Sequence, residues 1–292
     1  MRQSNPKIKK LVIYYRPEMS RAKEQEKKLL AQLKKGHPEI KILNSKNPPR
    51  NKKGAPDAVL VLGGDGTILE AAHRYHQWKS LIMGFNLGRV GFMASVRNEK
   101  DFSKSLEMLL NGQYQAIPRL MISATLMRKN KNLAKFNAVN EVSIQHLMGM
   151  VQLKVEIDGH PLQYINGSGL LVATGTGSTA YNLSAHGPIV MPDVRCFIIT
   201  ELLDHNIPTP SIIIKRNREI AIIIEGFRKQ NKFTINKSGR KADVVLATDG
   251  YDIIPLQKGD KIIMRESKYE IKFVEMDKNY FFQSLQEKFA FR

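Results

Sequence analysis

The chain has 292 residues, 42% of them hydrophobic, enough for one large domain or two ordinary ones with well-buried cores. Its net charge of +19 raises nucleic acid as a partner, and the charge is concentrated in residues 1–54, which carry 16 Lys/Arg against four Glu, a net of +12. No apolar run is long enough to span a bilayer, the first ten residues lack a leader-like apolar core, and the single cysteine excludes an internal disulfide, so a cytoplasmic protein without a membrane segment is expected.

Up to residue 120, strand and helix patterns alternate. Strands are predicted over 8–15, 40–43, 58–62 and 81–86, and helices over 20–35, 67–78 and 99–110. Gly36 and Asn111-Gly112 fall where helix stops are expected, and Phe102, Leu106, Leu109 and Leu110 share one helical face. This is the pattern of a parallel sheet with helices on both faces, a fold that binds nucleotides at its strand ends. The basic residues spread over the outer face of helix 20–35 and the loop 44–56 without interleaved aromatics, which reads as solvated surface and disfavours nucleic acid. Such a field also attracts nucleoside phosphates.

The most informative segment is 57–69, where an apolar strand runs into Gly63-Gly64-Asp65-Gly66-Thr67 and then a helix. A strand–glycine turn–helix junction seats phosphate, because the first amides of the helix are unpaired. Asp65 would repel phosphate if it only lined that seat, so it is expected to take a proton from a hydroxyl or to hold Mg²⁺. The plainer alternative is that Asp65 caps the helix.

From about residue 117 the apolar period becomes two, at Leu120, Ile122, Ala124 and Leu126 and again at Val151, Leu153, Val155 and Ile157. Asp158-Gly159 is a hairpin signal, and short apolar runs recur at 212–214, 221–224, 244–247 and 262–264. The interruption at 178–206, broken by Pro188 and Pro192, is expected to hold one or two helices. Phe281, Phe282, Leu285 and Phe289 make the tail apolar enough to pack. The expected organisation is an α/β nucleotide-binding domain over 1–117, a β-rich, sandwich-like domain over 118–269, and a tail, 270–292, returning to the first.

A second glycine- and hydroxyl-rich segment spans 166–190, including Thr174, Thr176, Ser178, Thr179, Ala180, Tyr181 and Ser184. Glycines admit a ligand to the backbone, hydroxyls bond its oxygens, and Tyr181 offers an aromatic wall or a core side chain. Together with the stretch from Gly84 to Met93 and the pair Asn140-Glu141, these motifs resemble the NAD kinase family in order and spacing. The resemblance covers about residues 57–192.

That resemblance implies transfer of the γ-phosphoryl group of ATP, in some members of polyphosphate, to the 2′-hydroxyl of the adenosine ribose of NAD, giving NADP. Asp65 then orients or deprotonates the acceptor hydroxyl, and Gly63, Gly64 and Thr67 shape a phosphate loop that Arg89 reaches or merely flanks as surface charge. Gly66, Phe92, Asn140, Glu141, Thr176, Thr179, Ala180, Tyr181 and Ser184 correspond to NAD-binding positions. Asp249 corresponds either to an acidic turn that approaches the ligand or to an ordinary hairpin turn. Mg²⁺ or another divalent metal is expected with ATP, with no dedicated metal cage, and the chain is expected to form a homo-oligomer, a dimer or tetramer.

Several positions depart from the family pattern. Ser168 replaces an aspartate, Gly175 a proline, His186 a glycine, and Lys215-Arg216-Asn217-Arg218 a Ser-x-Arg-Pro segment. The Ser168 change removes a carboxylate expected near the nicotinamide end, which weakens or redirects acceptor binding. Two alternatives remain open: a lipid or sphingoid kinase sharing the glycine-aspartate loop, and a non-catalytic dinucleotide sensor. Cys196, inside an apolar run, reads as packing, and His73 and His76, which lack a metal-ligand partner, read as surface or packing histidines.

Overall fold

The apolar runs of the first 120 residues become the strands of one sheet. In the computed structural model, which describes residues 5–47, 49, 51–205, 209–230, 233–235 and 239–289, these elements are β1 (Lys10–Tyr14), α1 (Ser20–Gly36), β2 (Lys41–Leu43), β3 (Ala58–Leu62), α2 (Asp65–Tyr75), β4 (Leu81–Phe85), α3 (Phe102–Leu110) and β5 (Gln115–Arg119). Two C-terminal elements join them, the strand Ile271–Glu275 and the helix Tyr280–Phe289. The strand order is β2-β1-β3-β4, then Ile271–Glu275, then β5. β1 with β2, β1 with β3, β3 with β4, and β4 with the C-terminal strand all pair in parallel.

Alternation along the buried strands assigns the helices to faces. Leu11, Ile13, Leu60, Leu62, Met83 and Phe85 pack with Leu29 and Leu33 of α1 and Phe102, Leu106 and Leu109 of α3. The opposite face carries α2, whose Ile68 sits against Gly84 and whose Tyr75 stacks edge-on with Tyr14. Burying each large aliphatic side chain of this kind stabilises by roughly 1.5–3 kcal/mol. The predicted helix 67–78 begins two residues earlier and ends in a 3-10 turn, His76–Trp78.

The second half is antiparallel. It contains β6 (Ile122–Arg128), β7 (Lys131–Ala138), β8 (Glu141–His146), β9 (Val151–Ile157), β10 (His160–Thr174), α4 (Tyr181–Ser184), β11 (Cys196–Asp204), β12 (Ile212–Lys215), β13 (Ile220–Phe227), β14 (Phe233–Ile235), β15 (Arg240–Ala242), β16 (Val244–Thr248), β17 (Asp252–Pro255) and β18 (Lys261–Glu266). β19 and α5 are the C-terminal strand and helix already described.

β10 is the pivot of this unit. Its residues up to Gly167 pair with β9, and those from Gly169 pair with β8. Gly167 faces Val151 and Asp204, and Gly169 faces Gln145 and Leu202, so β11 occupies the other edge from Gly167 to Thr174. The sheet therefore divides into two layers, β17-β16-β8-β10-β11-β12 and β10-β9-β13-β18-β6-β7. Val142, Ile144, Leu170, Val172, Phe197 and Leu246 of the first layer and Leu153, Val155, Ile222, Ile262 and Met264 of the second share one core.

One local expectation changes, at 178–206. Gly167-Ser168-Gly169 lies inside β10, where a Cβ on Gly169 would collide with the Ile144 carbonyl. The described residues of the interruption at 178–206 hold the end of a 3-10 turn, Thr176–Thr179, the single helical turn α4 and then the nine-residue strand β11. The β-branched run Ile198-Ile199-Thr200 suits the strand, and Asn206 lies outside the described residues. Hairpin chemistry at Asp158-Gly159 is as read, with both residues in the left-handed region.

The chain divides into two compact units, Met1–Pro118 with Tyr269–Arg292, and Arg119–Lys268. α5 belongs to the first, where Phe281 packs on Phe92 and Arg97 bonds Glu287 and Ser284. Residues 290–292 of the tail lie outside the described residues.

Candidate active site

In the first unit, β3 ends at Leu62 and α2 starts at Asp65, with Gly64 as its N-cap and no side-chain cap bond. Asp65 is thus the first helical residue and not the capping group. Its carboxylate turns to the loop after β4 and accepts the amides of Phe92 (2.8 Å) and Met93 (3.1 Å). Two N–H donors on one carboxylate fix its plane and leave the remaining lone pairs directed elsewhere. A Cβ on Gly63 would meet the Thr67 side chain at 2.7 Å, so Gly63 and Thr67 set the tightness of the turn. Gly64 has open space over it, and Gly66 is exposed.

Phe92 contributes its amide to this arrangement, whereas its ring is buried against Phe281 and Phe289, with Lys288 over it. Arg89 is exposed and has no ion pair among the described residues. His76 is buried against Tyr269 and bonds the His73 carbonyl, a packing role, and burial lowers its pKa.

In the second unit, the carboxylate of Asp249 accepts the amides of Val139 (2.6 Å), Asn140 (2.8 Å) and Glu141 (2.9 Å), while its own amide donates to the Glu141 carbonyl. Asp249 has a left-handed backbone at the β16–β17 turn. It is a hairpin residue and also the anchor of the Asn140-Glu141 pair. Thr174, a hydroxyl residue of the glycine-rich segment, ties the same pair to that segment's turn. Its hydroxyl donates to the Val139 carbonyl (2.7 Å) and accepts from the Gly177 amide (3.1 Å). A Cβ on Gly177 would collide with the Asn140 carbonyl, so this approach requires glycine.

Three polar atoms in this group are buried with no hydrogen-bond partner among the described residues: Asn140 Oδ1, Glu141 Oε2 and Thr176 Oγ1. An orphaned buried polar atom costs about 1–3 kcal/mol, and three together mark a place built for a ligand's polar groups. Burial, then the negative charge of Asp249, push the Glu141 carboxyl up to about 8, partly offset by the Tyr181 amide that it accepts. Near neutral pH Glu141 can therefore donate as well as accept, which suits a diol.

Tyr181 donates its hydroxyl to Gln145 (3.2 Å), and its ring packs beside Leu171, Ala173 and Ile198. Thr179 bonds back to the Thr176 carbonyl, and Ala180 continues the same turn. Asn182, fully buried, holds the turn by bonding Ser178, Pro188 and Thr200. Ser184 is exposed and Ser168 half-buried within β10, and neither hydroxyl joins the group. Of the divergent positions, Gly175 has φ −56°, His186 stands in the left-handed region, and Arg216 shares Glu266 with Arg195. Cys196 is buried, its thiol pKa raised by burial, as packing requires.

The structure thus places the predicted residues in two groups, one per unit. Asp65 with Gly63, Gly64, Gly66, Thr67 and the Phe92 amide forms the first, and Asn140, Glu141, Thr176 and Asp249 the core of the second.

Comparison with known proteins places these features in a family. Residues 4–114 match the ATP-NAD kinase N-terminal domain and residues 139–276 the ATP-NAD kinase C-terminal domain. The chain is 33% identical over 234 residues to the NAD kinase of Natranaerobius thermophilus, covering 80% of this chain and 77% of that protein. It is 34% identical over 241 residues to the NAD kinase of Lachnoclostridium phytofermentans, covering 80% of each. Its fold is similar to that of yeast NADH kinase complexed with NADH (TM-score 0.85, 22% identity, 98% of this chain and 89% of that one). It is also similar to an Archaeoglobus fulgidus NAD kinase in complex with ATP (TM-score 0.72, 20% identity, 97% and 100%).

Proposed function

This chain belongs to the NAD kinase family, and on that premise we propose that Asp65 is the group that accepts the proton as the γ-phosphoryl of ATP passes to the 2′-hydroxyl of NAD. The chain is a kinase with NAD and ATP as its substrates and NADP as its product. The names of its relatives lend no support to a lipid kinase or a sensor.

The bookkeeping of the step is simple. The 2′-oxygen forms a bond to the γ-phosphorus, the bond from that phosphorus to the β,γ-bridging oxygen breaks, and ADP departs with its electron pair. The hydroxyl proton goes to the Asp65 carboxylate. The observation that carries this reading is the pair of amides from Phe92 and Met93 on Asp65. They fix a carboxylate at the phosphate-seating end of α2 where a mobile side chain would lose its aim.

Asn140, Glu141 and Thr176 bind the polar edge of the dinucleotide, their orphaned atoms supporting that role. Within the second unit Thr179, Ala180, Tyr181 and Ser184 extend this binding surface, and Asp249 acts by holding Asn140 and Glu141; in the first unit Gly66 and the Phe92 segment are the NAD-binding positions. Gly63, Gly64 and Thr67 cradle donor phosphate, with Arg89 beside them. Ser168, set within a strand, tunes acceptor affinity without a direct part in the chemistry.

Among the described residues no group of three or more His, Cys, Asp or Glu side chains could hold a metal ion. Asp65, a carboxylate fixed at the phosphate-seating turn, is the residue that would hold Mg²⁺ arriving with ATP. When bound, the ion neutralises phosphate charge.

Self-association is supported by exposed apolar residues in the second unit. Met148, Met150 and Leu203 are 65%, 45% and 80% exposed, and the last two adjoin Val151 and Asp204, which face Gly167 from opposite edges. No helix among the described residues is long and apolar enough to cross a membrane; a cytoplasmic location is part of the proposal.

The test is turnover: purified protein with ATP, Mg²⁺ and NAD, NADP being measured, with diacylglycerol as a rival acceptor. NADP formation is expected. Folded protein that binds NAD without making NADP, or that phosphorylates the lipid instead, overturns the reading.

A further inference from the structure

Arg16 follows β1 by two residues. Tyr14 of β1 lies level with Val61 of β3 in the parallel ladder, so Arg16 emerges at the height of Gly63, beside the turn that leads into α2. Its guanidinium lies beside Gly66: a Cβ built there would lie 3.7 Å from Arg16 Nη2, the nearest atom among the described residues outside the adjacent residues and backbone of α2. The guanidinium is held in place from α2 itself. Glu70 Oε2 pairs with Arg16 Nε at 3.0 Å, and Glu70 Oε1 accepts the Tyr14 hydroxyl at 2.6 Å.

That ion pair has little structural value. The Arg16 and Glu70 side chains are 42% and 36% exposed, and pairs so accessible contribute little to stability. Its consequence is orientation: the Nε edge is turned to Glu70, and the Nη2 edge faces the first turn of α2. A planar guanidinium presented beside a glycine turn at a helix N-terminus matches the oxygens of a phosphoryl group, and it offsets the charge that Asp65 brings to the same turn.

We propose that Arg16 is a further catalytic residue, binding the oxygens of the donor's terminal phosphoryl group as it transfers, with Glu70 as the positioning residue that sets its plane. This rests on the kinase reading given above. As the bond from phosphorus to the bridging oxygen breaks, negative charge grows on the departing ADP and on the equatorial oxygens, and a fixed guanidinium stabilises that charge without reorganisation. The proton still goes to Asp65, and Arg16 exchanges none.

Arg16→Ala, Arg16→Lys and Glu70→Gln in the full chain test this, with ATP and NAD varied separately and NAD affinity measured by calorimetry. For Arg16→Ala, kcat/KM for ATP is expected to fall by on the order of 10²-fold or more, while the NAD dissociation constant stays within about twofold. Arg16→Lys should recover part of the loss, and Glu70→Gln should move the same parameter less. Unchanged kcat/KM for ATP in both Arg16 variants overturns the role of Arg16 while leaving the kinase reading intact. Equal losses toward ATP and NAD, tracking a lowered melting temperature and unrelieved by lysine, reduce it to a structural pair. Absence of NADP formation by the unsubstituted chain sinks the kinase reading itself.

Discussion

Gly91 and Asp65 are fitted to each other: a Cβ on Gly91 would fall within the van der Waals radius of the Asp65 carboxylate, which rests on the amides of the next two residues. A glycine with no chemistry of its own thereby decides where the acidic group points.

Gly91→Ala is accordingly expected to act on catalysis without unfolding the protein. The added methyl meets the end of a side chain, which can rotate away, and not backbone. Asp65 would leave its amide cradle, and kcat should fall by roughly tenfold or more, since misplacement of about 1 Å can cost on the order of 10²-fold. Steady-state kinetics beside a thermal melt checks this, and unimpaired turnover would show that the cradle is dispensable.

Glu141 gives a pH-dependent stability. Its folded pKa of about 8 lies above the ordinary carboxylate value, so the folded state holds a proton that the unfolded chain releases. Stability from this group is full below the unfolded value near 4.5 and declines as pH rises through about 8, by a few kcal/mol at most. Glu141→Gln should flatten that decline, and denaturant melts between pH 5 and 9 measure it. Asp249→Asn should lower the Glu141 pKa by removing the adjacent charge, while weakening the hold on Val139, Asn140 and Glu141. Parallel pH curves for unsubstituted and Glu141→Gln proteins would contradict this.

His186 is an exposed non-glycine residue with φ 60° at the end of the glycine-rich turn. A left-handed backbone costs a side-chain-bearing residue roughly 1–2 kcal/mol, while glycine adds about 0.5–1 kcal/mol of unfolded-state entropy. His186→Gly should therefore stabilise by about 0.5–1 kcal/mol, a rise of roughly 1–3 °C in Tm, with unchanged kcat. A lower Tm would point to a contact of the imidazole that outweighs the backbone strain.

Much of this was legible in the residues. The alternation of apolar runs with helical patterns gave the parallel sheet, and Gly63 to Thr67, Asn140-Glu141 and the hydroxyl-rich turn marked the two groups of site residues. What escaped reading depends on contacts across distance. Arg16 is 50 positions from Gly66, and no local pattern joins them. Gly91 reads as one glycine among several until its missing Cβ is set against Asp65. Asp249 looked like a choice between ligand contact and hairpin turn, whereas one left-handed residue serves both the turn and the amides of Val139 to Glu141. The glycines of Gly167-Ser168-Gly169 permit close strand approach where β10 changes partners, a role set by neighbours distant in sequence. At 178–206 one or two helices are expected after the glycine-rich stretch, and the β-branched residues at 198–200 carry the signal for the strand that follows α4.

The central claim is that Asp65 takes the proton from the ribose hydroxyl, and the most direct measurement is single-turnover NADP formation by Asp65→Asn at saturating NAD and ATP. Asparagine keeps an oxygen for one of the two amides but is a far poorer base. The account predicts a rate lower by on the order of 10²–10⁴-fold with NAD affinity retained. A rate within a few-fold of the unsubstituted protein would contradict it.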